Sequence, residues 1–214
     1  KSTNRIEKGR VEFLKCQAFY SNGEVKKAWE QMHKCLAVVG EKYPAKPGLL
    51  VKSLLVNIFL SFFDSLVPGR IGRLAKKKNE EMAATKIISQ SYQIGTLIAY
   101  ARGNQLDLTY ITIRNYVRTL ALGDSAELAQ SHFSLAVVFG LLLIKRLRNW
   151  HLQKGSEIVK KLKDPALDTI TRIQTIWCLD FSGESSEALK LGIETLPLAQ
   201  RYTGTTYISS LVST

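Results

Sequence analysis

Apolar residues recur at helical spacing along most of the chain, and the breaks in that pattern resemble one another. Asn22-Gly23-Glu24, Arg102-Gly103-Asn104 and Ser182-Gly183-Glu184 each interrupt an apolar run and read as a tight turn between two helices. Successive glycines of this set lie eighty residues apart both times. Eighty residues is two helical hairpins of about forty, inside the period range of helical-repeat proteins. A turn is therefore expected near position 143, where the nearest glycine, Gly140, comes three residues early and an apolar helix gives way to the basic run Lys145-Arg146-Leu147-Arg148. The other half-step, position 63, falls inside the apolar stretch from Leu49 to Val67, with no turn signal before Pro68-Gly69. The pattern predicts an all-α fold, an α-solenoid of antiparallel helix pairs whose period is distorted around position 63.

The first hairpin is expected to run from about Arg5 to Tyr20, turn through Ser21 to Glu24, and return from Val25 to about Val39. With Gly23 as the turn, Cys16 takes a small-residue site of the first helix, Phe19 an aromatic site after it, and Ala28 a small-residue site of the second. Met32 and Cys35 fill later packing sites. Small residues at such places let two helix backbones approach, and large ones plug the groove between hairpins. Cys16 and Cys35 are thus read as packing residues, not nucleophiles. Around Gly183 the small site is Ala188 and Leu179 replaces the aromatic; around Gly103 the corresponding residues are Ala99 and Leu108. Asp124-Ser125-Ala126-Glu127 reads as a helix cap with a glutamate three residues on, opening a helix that carries Leu128, His132, Leu135, Ala136, Phe139 and Leu143. Asp164-Pro165 starts another, with proline where its missing N–H costs nothing. The expected organisation is a first hairpin over 1–43, an apolar helical insertion with a basic linker over 44–79, and further hairpins over 80–214. The first residue is Lys1 and an apolar run begins just before Val212-Ser213-Thr214, so the chain reads as an interior piece of something longer.

The stretch from Leu49 to Val67 is long enough to span a bilayer, but Lys52, Asn57 and Asp64 interrupt it. A central charge in hydrocarbon costs at least a few kcal/mol, so a helix buried between neighbouring hairpins is expected and no transmembrane segment, with a weakly membrane-attached helix as the alternative. Three cysteines, Cys16, Cys35 and Cys178, have no metal-ligand spacing and leave an odd thiol, which points to a reduced, cytoplasmic setting.

The hairpin at Phe19 to Glu24 with Cys35-Leu36, the Gly-Glu-x-Tyr-Pro segment Gly40 to Pro44, the insertion ending Val67-Pro68-Gly69-Arg70, and the stretches Gly95 to Tyr100 and Leu120 to Ala129 together resemble a known family. It is the tetratricopeptide-like region that follows the ATPase module in large signalling proteins, notably soluble class III adenylate and guanylate cyclases and related regulators or kinases. The resemblance covers Arg10 to Arg201. It implies a regulatory or scaffolding role in a larger cytosolic protein, in which the catalytic and nucleotide-binding residues lie upstream, so none is carried onto this chain.

The sequence carries no motif for chemistry of its own. A phosphate loop of the form G-x-x-x-x-G-K-S/T is absent, and Gly69-Arg70-Ile71-Gly72-Arg73 lacks the lysine. His33, His132 and His151 stand apart in sequence with no His-x-x-x-His or Cys-x-x-Cys, so neither a metal nor any other cofactor is expected. Cys35 and His33, two residues apart on a helix, point to different faces. What stands out is charge. Thirty Lys and Arg against eighteen Asp and Glu leave +12. The basic residues cluster at Lys1 to Lys15, at Arg70, Arg73 and Lys76 to Lys78, and at Lys145, Arg146, Arg148, Lys154, Lys160 and Lys161. This last cluster is the candidate partner-binding patch, and Cys16, Phe19, Gly23, Ala28, Gly103, Gly183 and Ala188 are the candidate repeat-packing residues. Three readings compete for these clusters, and the first is solvated helix faces with a basic linker at Lys76 to Lys78. The second is docking onto other domains of the parent or an acidic protein surface, which ranks ahead of the third, nucleic acid, because interleaved exposed aromatics are lacking beyond Trp150.

Overall fold

The computed structural model describes residues 2–44, 46–66 and 79–203. Among the described residues the chain forms nine α-helices and no strand. They are α1 (Ser2–Ser21), α2 (Val25–Val38), α3 (Pro47–Leu66), α4 (Asn79–Ala101), α5 (Gln105–Thr119), α6 (Ala126–Leu141), α7 (Lys145–Leu162), α8 (Pro165–Phe181) and α9 (Ser185–Tyr202). The basic run Arg70 to Lys78, the Pro68-Gly69 turn signal and the last apolar run lie outside the described residues.

Four helices, α1, α4, α6 and α8, end in one and the same turn. At Gly23, Gly103, Leu143 and Gly183 the backbone enters the left-handed region, with φ of 75°, 64°, 57° and 76°. In each case that residue's N–H donates to the carbonyl three back, and the next residue's N–H donates to the carbonyl five back, all at 2.9–3.0 Å. This paired arrangement satisfies carbonyls that a helix C-terminus leaves without partners. The carbonyls of Glu24, Asn104, Ile144 and Glu184 then accept the first bond of the following helix, so one turn both ends a helix and starts the next. The half-step at 143 therefore is a turn, made by a leucine. Gly140 lies inside α6, where a Cβ would sit 2.8 Å from the Ser182 hydroxyl and 3.1 Å from the Cys178 carbonyl. It serves close packing, not turning. Position 63 lies within α3, so among the described residues the first eighty-residue interval holds a single inserted helix in place of a second hairpin.

The helices fall into two units, residues 1–123 and 124–214. In the first, α1 pairs with α2, α4 packs on both and pairs with α5, and α3 packs on α5. Small residues set these approaches: the Cys16 thiol donates to the Ala28 carbonyl at 3.3 Å, the Cys35 thiol to the Gly9 carbonyl at 3.3 Å, and a Cβ on Gly95 would sit 2.4 Å from the Met32 sulfur. In the second unit α6 pairs with α7, α8 pairs with α9, and α8 lies along α6. The α6–α8 contact keeps the forty-residue step, since the Gln174 side-chain N–H donates to Ser134 Oγ at 3.2 Å and the Cys178 thiol to the Ala136 carbonyl at 3.3 Å. Asp164 caps α8 through the Ala166 and Leu167 amides with Pro165 in the first turn, as expected, whereas α6 is capped by Ser125 and not by Asp124.

One expectation fails. The helix over 47–66 is not buried between hairpins: only 17% of the window Pro47–Asp64 is covered, although by length and composition it could cross a membrane. The reason lies in its polar residues. Asn57 and Asp64, seven positions apart, are almost fully buried, and both side chains find partners on α5. Satisfying them turns the polar stripe inward and leaves the apolar one outside.

Candidate functional site

The closing of α1 onto its neighbours starts at Gly9, where a Cβ would come within 2.4 Å of Val39 and 3.6 Å of Ile87. Beside this contact a cleft of about 610 Å³ opens between α1 and α4, the leading helices of the two hairpins of the first unit. Phe13 and Leu14 of α1 and Met82 and Ile87 of α4 give it apolar walls; Arg10 and Lys86 are its charged lining residues, and both are exposed. A cleft with apolar walls and two cationic side chains matches a bulky apolar group flanked by an acid.

The first unit also holds a buried polar network, whose residues are distinct from those lining the cleft. Gly40, at φ 85°, ends α2 with the same pair of hydrogen bonds and turns the chain so that Glu41 points inward, 2% exposed. Its carboxylate accepts from Arg114 Nε at 2.8 Å, from the Arg118 guanidinium, and from the Tyr92 hydroxyl at 3.1 Å. Arg114 also donates to Asn57 Oδ1 at 3.2 Å, and the Tyr116 hydroxyl donates to Asp64 at 3.1 Å. The α2–α3 connection, α3, α4 and α5 are thereby tied at one point. Nearby, the Tyr43 hydroxyl donates to Asp107 at 2.5 Å, and the Tyr43 ring sits edge-on to Trp29, His33 and Tyr110. Tyr43 is thus another tie, and His33 is half-buried among aromatics.

The candidate basic patch divides in two. Arg148 is buried and its guanidinium donates to Glu184 at 2.8 Å, joining the start of α7 to the turn that begins α9; Lys145 reaches the same carboxylate at 3.8 Å. Lys154 pairs with Glu157 and Lys161 with Asp124, both at 2.8 Å. Arg146 and Lys160 are exposed. The repeat-packing residues sit as follows: Cys16 and Ala28 are buried against each other, Phe19 is half-buried, Ala188 is buried, and Gly23, Gly103 and Gly183 make turns. Burial pushes the Cys16 thiol up to about 12 and the Cys178 thiol up to about 11, and raises that of Cys35, so all three are held as neutral packing groups.

Sequence spacing alone leaves His132 and His151 apart, but the hairpin brings them together. Their Nδ1 atoms lie 2.9 Å apart in a buried setting, with the Trp150 indole edge-on to His151 and the Phe139 ring stacked on it. Burial lowers His132 to about 4 and His151 to about 3, so both are neutral at pH 7, and one ring donates to the other. The signal was available in the turn: His132 is eleven residues before position 143 and His151 eight after it. The same offsets from Gly23 give Glu12 and Gln31, whose side chains hydrogen-bond. With the turn placed at Gly140 instead, this correspondence disappears.

Among the described residues, no group of three or more His, Cys, Asp or Glu side chains is arranged to hold a metal ion. Comparison with protein families, with curated proteins and with solved structures gives no match.

Proposed function

We propose that this chain is a tetratricopeptide-like helical-repeat scaffold that takes part in no catalysis itself and holds a segment of another protein, or of another domain of a longer signalling protein, in the cleft between α1 and α4. The occupant fitted to that cleft is a short acidic segment with a bulky apolar residue. The observation that carries this reading is the cleft's position: it lies between the leading helices of adjacent hairpins, the place where stacked helix pairs present a groove. Its lining agrees, with Arg10 and Lys86 beside Phe13, Leu14, Met82 and Ile87. The recurring turn at Gly23, Gly103, Leu143 and Gly183 supports the repeat reading, because a turn that both ends one helix and starts the next returns at multiples of forty residues.

Selection of a random peptide display library against the full chain tests this. Enriched sequences should carry Asp or Glu flanking a large apolar residue, and should lose at least tenfold in affinity for the Arg10→Glu, Lys86→Glu double variant. Enrichment of basic peptides, or of peptides indifferent to that variant, would refute the assignment.

A further inference from the structure

The outward face of α3 is apolar where a helix of a folded protein is ordinarily polar. Leu55 is 62% exposed, Phe59 66% and Phe62 61%, with Val51, Val56 and Ile58 also exposed beside them. From Val51 to Phe62 this face runs roughly 17 Å at 1.5 Å per residue. The inward face carries Asn57 and Asp64, which are held by Arg114 and Tyr116 of α5. The helix is thus fixed with its apolar side outward by the polar contacts on its other side, and a patch of this kind marks an interaction surface.

We propose that this face lies in the interfacial plane of an anionic membrane. Charge decides among occupants. The one acidic residue of α3, Asp64, is 4% exposed and faces inward, while Lys46 and Lys52 are exposed. In sequence α3 is followed by Arg70, Arg73, Lys76, Lys77 and Lys78, and the whole chain carries +12. An apolar helix face in a strongly cationic chain is the combination that binds anionic bilayers. A second copy of the chain would set like charge against like. Spanning the bilayer is excluded by the same contacts that orient the helix, because insertion would strip Asn57 and Asp64 of their partners on α5. Lys52, amid the apolar face, reaches headgroups along its own aliphatic stem.

The test is sedimentation of the full chain with vesicles of phosphatidylcholine alone or of phosphatidylcholine mixed with phosphatidylserine. The chain should pellet with the mixed vesicles, and less so as salt rises. Phe59→Ser with Phe62→Ser should weaken that binding at least a hundredfold, from the apolar area of two phenylalanines. Lys46→Glu with Lys52→Glu should weaken it about tenfold. Both positions are exposed in each pair, so unchanged thermal unfolding identifies the loss as a surface effect. The proposal is overturned if the chain stays in the supernatant with both vesicles, or binds the two equally. It is also overturned if equilibrium sedimentation finds a dimer that the phenylalanine variant dissolves, which would make a second copy the occupant.

Discussion

Leu143 occupies a backbone conformation that its three counterparts reach with glycine, and replacing it by glycine should stabilise the protein. The left-handed region costs an L-residue about 1–2 kcal/mol, while glycine gives back about 0.4–1 kcal/mol through the greater freedom of the unfolded chain. The side chain contributes little, since Leu143 is 68% exposed and an unfolded chain already covers a comparable part of it. A net gain of about 0.5–1 kcal/mol follows. Leu143→Ala is the internal reference: it removes the same side chain and keeps the strain, so glycine should exceed alanine by about 1 kcal/mol. The reciprocal experiment is available at Gly103 and Gly183, where a Cβ would meet nothing within 4 Å and the cost of alanine is backbone strain alone. Equilibrium urea unfolding of the full chain measures all four variants. With m near 1–3 kcal/mol/M the midpoints should move by roughly 0.5 M, upward for Leu143→Gly and downward for the two alanines, without a change of slope. If Leu143→Gly proves no more stable than Leu143→Ala, the equivalence of the four turns is refuted.

Glu41→Gln should destabilise the first unit by about 2–3 kcal/mol, because Arg114 and Arg118 lose a charged partner that is itself fully buried while they remain only partly hydrated; circular dichroism against urea checks it, and a shift under about 0.5 kcal/mol would show that the network carries no weight. The histidine pair makes stability depend on pH with a definite sign. In the unfolded chain both rings take up protons near 6.5, in the folded chain only near 4 and 3, so stability is lost as pH falls below about 6.5. For His132 alone the loss by pH 4 is about 3 kcal/mol at 1.36 kcal/mol per unit. Lys154 and Glu157, the charged groups facing it, act in opposite senses, which leaves burial as the controlling cause. Urea midpoints of the wild type and of His132→Leu with His151→Leu, taken across pH 7 to 5, should diverge, and parallel curves would refute the assignment. A thiol reagent such as dithionitrobenzoate should leave all three cysteines unreacted in the native protein and titrate all three in denaturant.

Helix content and the three glycine turns were legible in the sequence because each depends on a local signal, apolar spacing or a residue tolerant of positive φ. The turn near position 143 followed from the period, but the residue that makes it did not, since a leucine advertises nothing of its backbone and the nearby Gly140 serves a different purpose, a close approach to α8. The orientation of α3 was hidden for a related cause. Counting apolar residues from Leu49 to Val67 predicts burial, but the helix has two polar groups without an exposed alternative and finds their partners, Arg114 and Tyr116, some fifty residues downstream. Arg148 shows the same limit: in sequence it belongs to a basic run, while in the fold it is a strut onto Glu184. The cleft between α1 and α4 lay beyond sequence reasoning altogether, because it is assembled from Arg10, Phe13 and Leu14 on one helix and residues some seventy positions later on another.

The shared offsets about the turns separate what the backbone fixes from what it leaves open. In two hairpins the positions eleven before and eight after the left-handed residue are occupied by side chains that complete each other, Glu12 with Gln31 and His132 with His151. At the same two addresses the hairpins that turn at Gly103 and Gly183 carry Tyr92 with Ile111 and Arg172 with Leu191, so the pairing belongs to two hairpins and the turn to all four. The turn therefore sets where two side chains meet without dictating what they are: one hairpin carries an acid and an amide there, another two imidazoles, with the same hydrogen bonds closing both turns.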